Sequence, residues 1–125
     1  MPLRFGWVTI DSEDPDVLAT FWKEALDFQE IYRSDEGEEP LEIIISEDAE
    51  GAGWTILLIE VHDDRKGKNR LHFDLRPDDQ EAEVARLEGL GAKRIDIGQG
   101  ETNWTVMSDP EGNEFCVLRP RTATP

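Results

Sequence analysis

The sequence predicts an α+β fold of two βαβββ modules, and three observations carry that expectation. Short runs of alternating apolar and polar residues recur along the chain. Each half holds one stretch with helical spacing, and the order of segments repeats after about 65 residues, Trp7 matching His72 and Asp14 matching Asp79. Two such halves would bring two curved mixed sheets together, with the helices outside and a cleft between the sheets. The 125 residues suit a single domain over 1–125: module one at about 4–61, a linker at 62–69 and module two at about 70–119.

The first half begins with a strand over 5–12, in which Val8 and Ile10 alternate with Trp7, Thr9 and Asp11. Asp14 can cap the helix that follows, and Pro15 takes a first-turn position where a missing N–H costs nothing. Val17, Leu18, Phe21, Trp22, Ala25 and Leu26 then recur at helical spacing, the mark of a helix packed on a sheet. Strands over 29–33, 41–46 and 54–61 complete the half, separated by the polar, glycine-containing turns 34–40 and 47–53.

After the charged stretch H-D-D-R-K-G-K-N the order repeats. In N-R-L-H-F-D-L-R the apolar Leu71, Phe73 and Leu75 alternate with His72, Asp74 and Arg76, so His72 and Asp74 share one face of a strand over 70–75. A helix capped by Asp78 or Asp79 carries Ala82, Val84, Ala85, Leu87 and Leu90 and stops near Gly91. Strands over 94–97, 104–107 and 114–118 follow. S-D-P-E-G-N between the last two is a hairpin signal, since Pro110 fixes φ and Gly112 accepts a positive one. The closing R-P-R-T-A-T-P reads as a loose tail.

Thirteen basic against 29 acidic residues give a formal net charge of -16, which removes nucleic acid and anionic membranes from the expected partners. Solubility is the simple reading of that acidity. Cys116 is the single cysteine, so no intramolecular disulfide can form. No run approaches the roughly 20 apolar residues that span a bilayer, and the first residues lack a secretory pattern. A cytoplasmic protein is expected. Gly98 and Gly100 follow a strand without opening a helix, so they read as a turn and not as a phosphate loop.

Three stretches, V-T-I-D-S-E-D-P with A-T-F-W-K-E-A-L-D-F, N-R-L-H-F-D-L, and S-D-P-E-G-N-E-F-C-V-L, together resemble the vicinal oxygen chelate superfamily of glyoxalases, bleomycin-resistance proteins and extradiol dioxygenases. The likeness covers nearly the whole chain and is greatest to small bacterial glyoxalase-like proteins. It implies metal-ligand positions on the first and last strands of each half, which fall here on Trp7, Glu60, His72 and Cys116. Thr9 replaces Trp7 if the first strand shifts by two residues, and neither is a usual ligand. The resemblance thus leaves Glu60, His72 and Cys116 as a degenerate metal set, with Glu114 as a substitute for Cys116. One divalent ion, zinc, nickel or manganese, is the cofactor such a set would take; otherwise none is expected.

The same resemblance implies a small organic ligand in the cleft, lined by Trp7, Thr9, Asp74 and Trp104, and pairing as a homodimer. If the chain catalyses, the family theme is proton transfer beside a carbonyl, as in a lyase or isomerase of the glyoxalase I type. Glu60 or Glu114 would act as base and His72 would bind the oxygen. Sequestration of a drug without turnover is the further alternative. Each residue also has a plainer reading: Cys116 as a small buried hydrophobe, His72 as a partner of Glu60 or Asp74, and Trp7, Trp54 and Trp104 as core, with Trp22 core by its helical position.

Overall fold

In the computed structural model the described residues are 4–62, 71–95 and 103–120. They form two compact units, Met1–Arg65 and Lys66–Pro125. The first contains β1 (Val8–Ser12), α1 (Pro15–Leu26), β2 (Gln29–Arg33), β3 (Glu42–Ser46) and β4 (Thr55–Glu60). The second contains β5 (Phe73–Leu75), α2 (Gln80–Gly89), β6 (Lys93–Arg94), β7 (Thr105–Ser108) and β8 (Glu114–Val117). Both sheets have four strands and one topology, β1-β4-β3-β2 and β5-β8-β7-β6, in which the first and last strands of each unit pair in parallel. The expected βαβββ repeat is therefore present in both halves.

Both helices start as their sequences dictate. The Asp14 carboxylate accepts the Val17 N–H and the Asp79 carboxylate accepts the Ala82 N–H, each satisfying a donor that the first helical turn leaves without an intrahelical partner. Asp79, not Asp78, is thus the second cap. At the other end Gly91 takes φ +115°, a region open to glycine, and turns the chain toward β6.

In the first unit α1 lies on β3 and β4. Register places Ile43 beside Leu58 and Ile45 beside Ile56, and these four are buried together with Leu18, Phe21 and Trp22. Phe21 and Trp22 meet edge to face, with ring centroids 4.9 Å apart. Val17, expected on the apolar face, is exposed in the first turn. In the second unit the contact stripe of α2 is narrower: Val84 and Leu87 are buried, while Ala82 and Ala85 are exposed.

Strand limits agree with expectation at β2 and differ by one to three residues at the other strands. β5 starts at Phe73, so His72 stands just ahead of it, and β6 is Lys93–Arg94. Trp7, Trp54 and Trp104 each sit one residue before a strand; they are 53%, 67% and 42% exposed, and none is core. Trp22 is 1% exposed, as its place on the helix requires. The linker beyond His62, the glycines at 98 and 100, and the tail from 121 lie outside the described residues.

Candidate functional site

Parallel pairing of β5 with β8 sets Phe73 beside Phe115, Asp74 beside Cys116 and Leu75 beside Val117. Side chains alternate across a sheet, so Phe115 and Val117 enter the core on one face while Asp74 and Cys116 share the other. Two residues before Asp74, just ahead of β5, His72 turns to that second face and its Nε2 lies 3.1 Å from Asp74 Oδ1. Ligand atoms of His72, Asp74 and Cys116 all lie within 4.8 Å of one another. His72 and Asp74 are exposed, and Cys116 is 7% exposed.

Neighbouring strands extend this face. Cys116 pairs with Val106 and Glu114 pairs with Ser108, which in turn pairs with Lys93 of β6. Trp104 stands two residues before Val106 and continues the row at the sheet's end. Glu114 Oε2 is buried and has no hydrogen-bond partner among the described residues. Leaving such an oxygen unmatched costs about 1–3 kcal/mol.

Two further residues hold the frame. The Gln80 side-chain amide donates to the carbonyls of Asn103 and Val117, both at 3.0 Å, and so ties the start of α2 to β8 and to the entry of β7. Asp109, 3% exposed, accepts the Glu111 and Asn113 N–H groups at Oδ1 and the Asn113 side-chain amide at Oδ2, which locks the turn between β7 and β8. An aspartate at that position of S-D-P-E-G-N is the sequence signal for such a turn. No comparable signal exists for Gln80.

Glu60 has a different setting. In the first sheet Thr9 pairs with Leu57 and Asp11 with Ile59, while Ser12 pairs with Glu60, so Thr9 and Glu60 emerge on opposite faces and do not line one surface as expected. Glu60 Oε1 accepts the Leu41 N–H at 3.1 Å and Oε2 lies 2.9 Å from His62 Nε2. The Leu41 N–H, then His62, hold the Glu60 carboxyl below its ordinary 4.5; the Glu60 hydrogen bond holds His62 above its ordinary 6.5.

The signs give a pH prediction. Stability from a raised histidine is complete below about 6.5 and lost as pH rises through its folded value. That from a lowered carboxylate is present above about 4.5 and lost as pH falls through its folded value. The pair is therefore firmest between about pH 4.5 and 6.5. In an NMR titration the His62 ring should titrate above 6.5, and Glu60→Gln should bring it back toward that value; an unmoved midpoint would show that the pair is not formed in solution.

With this geometry in place, comparison with known proteins identifies the family. A family model described as a glyoxalase-like domain matches residues 7–118. The chain belongs to that family. Among solved structures, this glyoxalase-like chain is similar to the fosfomycin resistance protein FosX from Mesorhizobium loti, at TM-score 0.72 and 14% identity over 98% of this chain and 95% of that one. It is also similar to a mutant FosX from Listeria monocytogenes in complex with Mn(II) and 1S,2S-dihydroxypropylphosphonic acid, at TM-score 0.68 and 19% identity over 97% and 93%. A third likeness is to the trypanothione-dependent glyoxalase I of Leishmania major, at TM-score 0.72 and 16% identity over 94% and 86%. These likenesses show a shared fold. No curated protein sequence matches it. No described helix is long and apolar enough to cross a membrane.

Proposed function

We propose that this glyoxalase-like chain binds a small organic molecule on the polar face of its second sheet, beside one divalent metal ion held by His72, Asp74 and Cys116. The observation that carries this reading is the convergence of those three donors within 4.8 Å. Of the ligand positions implied by the family resemblance, His72 and Cys116 are used, and Asp74 joins them through its register with Cys116.

The donors suit zinc, which accepts imidazole, carboxylate and thiolate and in open sites keeps one position beyond three protein ligands. Donors bound at about 2.0–2.3 Å stand no more than about 4.6 Å apart. The present spread therefore closes with a modest turn of His72 and Asp74, both exposed. Such an ion supplies a Lewis acid to a ligand oxygen. The protein's own part is to aim the donors: Asp74 orients the His72 ring, and Gln80 holds the end of β8.

Elemental analysis of protein purified without a chelating tag and then offered zinc is the test. Near one equivalent is expected in the wild type, falling below about a tenth after dialysis in His72→Ala, Asp74→Ala and Cys116→Ala. A wild-type content below about a tenth would end the metal reading. Pairing as a homodimer belongs to the same proposal, supported by the large exposed side chains Phe5, Trp7 and Trp54. Light scattering should then give twice the chain mass.

A further inference from the structure

We propose that Glu114 receives an ammonium group of the ligand, so that the site takes a small amine-bearing molecule in preference to an anionic one. This rests on the reading that the second sheet's polar face is the ligand site.

The first argument is the state of the carboxylate itself. Glu114 Oε2 is buried without a hydrogen-bond partner among the described residues, and buried carboxylate oxygens in folded proteins are matched by donors as a rule. A ligand N–H arriving there would make a charge-assisted hydrogen bond, which is stronger than a neutral one. Glu114 is well placed for this, since it lies two residues before Cys116 on β8 and projects from the same face.

Charge on the face points the same way. Among the described residues Asp74 and Glu114 are its carboxylates; the His72 ring stands 3.1 Å from Asp74, and two permanently cationic side chains lie near them. Lys93 is reached from Glu114 only through Ser108 and stands on the edge strand β6, while Arg76 donates to the Arg119 carbonyl. With a divalent ion bound, the Asp74 carboxylate and the Cys116 thiolate balance its two charges, and Glu114 still adds one negative charge. Without the ion the face is more negative still. In either state an anion meets the Glu114 carboxylate, whose Oε2 has no partner among the described residues, and an ammonium group meets its counter-charge. The Trp104 indole, 42% exposed at the end of the same face, adds a π surface that favours a cation.

The test is an NMR titration of the full isotope-labelled chain, following the amides of Glu114, Phe115 and Cys116. Three probes are compared at equal ionic strength: 2-aminoethanol, 1,2-ethanediol and methylphosphonate. The expected order has 2-aminoethanol binding at least about tenfold more tightly than the other two, as a charge-assisted hydrogen bond implies. In Glu114→Gln its affinity falls about tenfold, to the level of the diol, while diol binding is unchanged. Glu114→Asp, which keeps the charge, retains the preference for the amine and serves as the readout if the glutamine variant does not fold. Equal 2-aminoethanol affinity in wild type and Glu114→Gln, tighter binding of methylphosphonate, or no response of these amides to any probe would overturn the proposal. Zinc content of the same samples separates the two readings: amine binding without metal ends the metal site and leaves this inference standing, and metal without amine binding does the reverse.

Discussion

Replacing Trp22 with alanine should remove about 3–5 kcal/mol of stability. The indole is fully buried beneath β3 and β4, packs edge to face on Phe21 and is the largest side chain sealed in the first unit's core. Truncation loses the transfer energy of the ring and leaves a cavity between helix and sheet that Ile43, Ile45 and Leu58 cannot fill without leaving their own contacts. Against a total stability of about 5–15 kcal/mol, this is enough to populate unfolded chain at moderate temperature. Thermal unfolding followed by circular dichroism should show a midpoint lowered by more than roughly 10 °C. A shift under about 3 °C would mean that α1 does not bury its tryptophan in solution. Val17→Ala, at an exposed position of the same helix, is the control and should change stability within about 0.5 kcal/mol.

Asp109→Ala should cost about 3 kcal/mol, because it deletes one acceptor that serves three donors. The N–H groups of Glu111 and Asn113 would lose their carboxylate partner in a turn that is partly closed to water. The consequence reaches the candidate site directly, since this turn sets where β8 begins and hence where Glu114 and Cys116 stand relative to β5. Amide exchange should speed up across 109–117 more than in α1, and denaturant unfolding should report the lost stability. Asp109→Asn keeps one side-chain oxygen and should lose about half as much. Equal exchange in wild type and Asp109→Ala would show that the β7–β8 hairpin is held by its strand pairing alone.

The architecture was legible because local signals agreed with one another. Asp14-Pro15 and Asp79 mark helix starts, the alternation over Phe73–Leu75 marks a half-exposed strand, though Leu71 before it is exposed, and Pro110 with Gly112 marks a turn; each depends only on neighbours in sequence. The facing of Glu60 was not legible for a physical reason. β4 is T-I-L-L-I-E, apolar on both faces, with Ile56, Leu57 and Leu58 all buried, so no alternation reveals which side each residue takes. The join of Asp74 to Cys116 was hidden as well, because it is made by the register of two strands distant in sequence, and a single strand's pattern shows only that His72 and Asp74 share a side. The exposure of Trp7, Trp54 and Trp104 was not legible, because aromatic residues favour strands and are equally at home at their open ends.

Parallel closure of each sheet has a consequence for how the chain reaches this state. Val8 cannot meet Ile56, nor Phe73 meet Phe115, until the helix and two intervening strands of the same half exist, so the opening strand of each unit is the last to find its neighbour. The β3–β4 and β7–β8 hairpins, whose partners are near in sequence, are free to assemble early. On a ribosome β1 would therefore wait through the synthesis of most of its half with its edge unpaired. The late arrival of β5 beside β8 makes the Asp74 and Cys116 pairing one of the final events of folding.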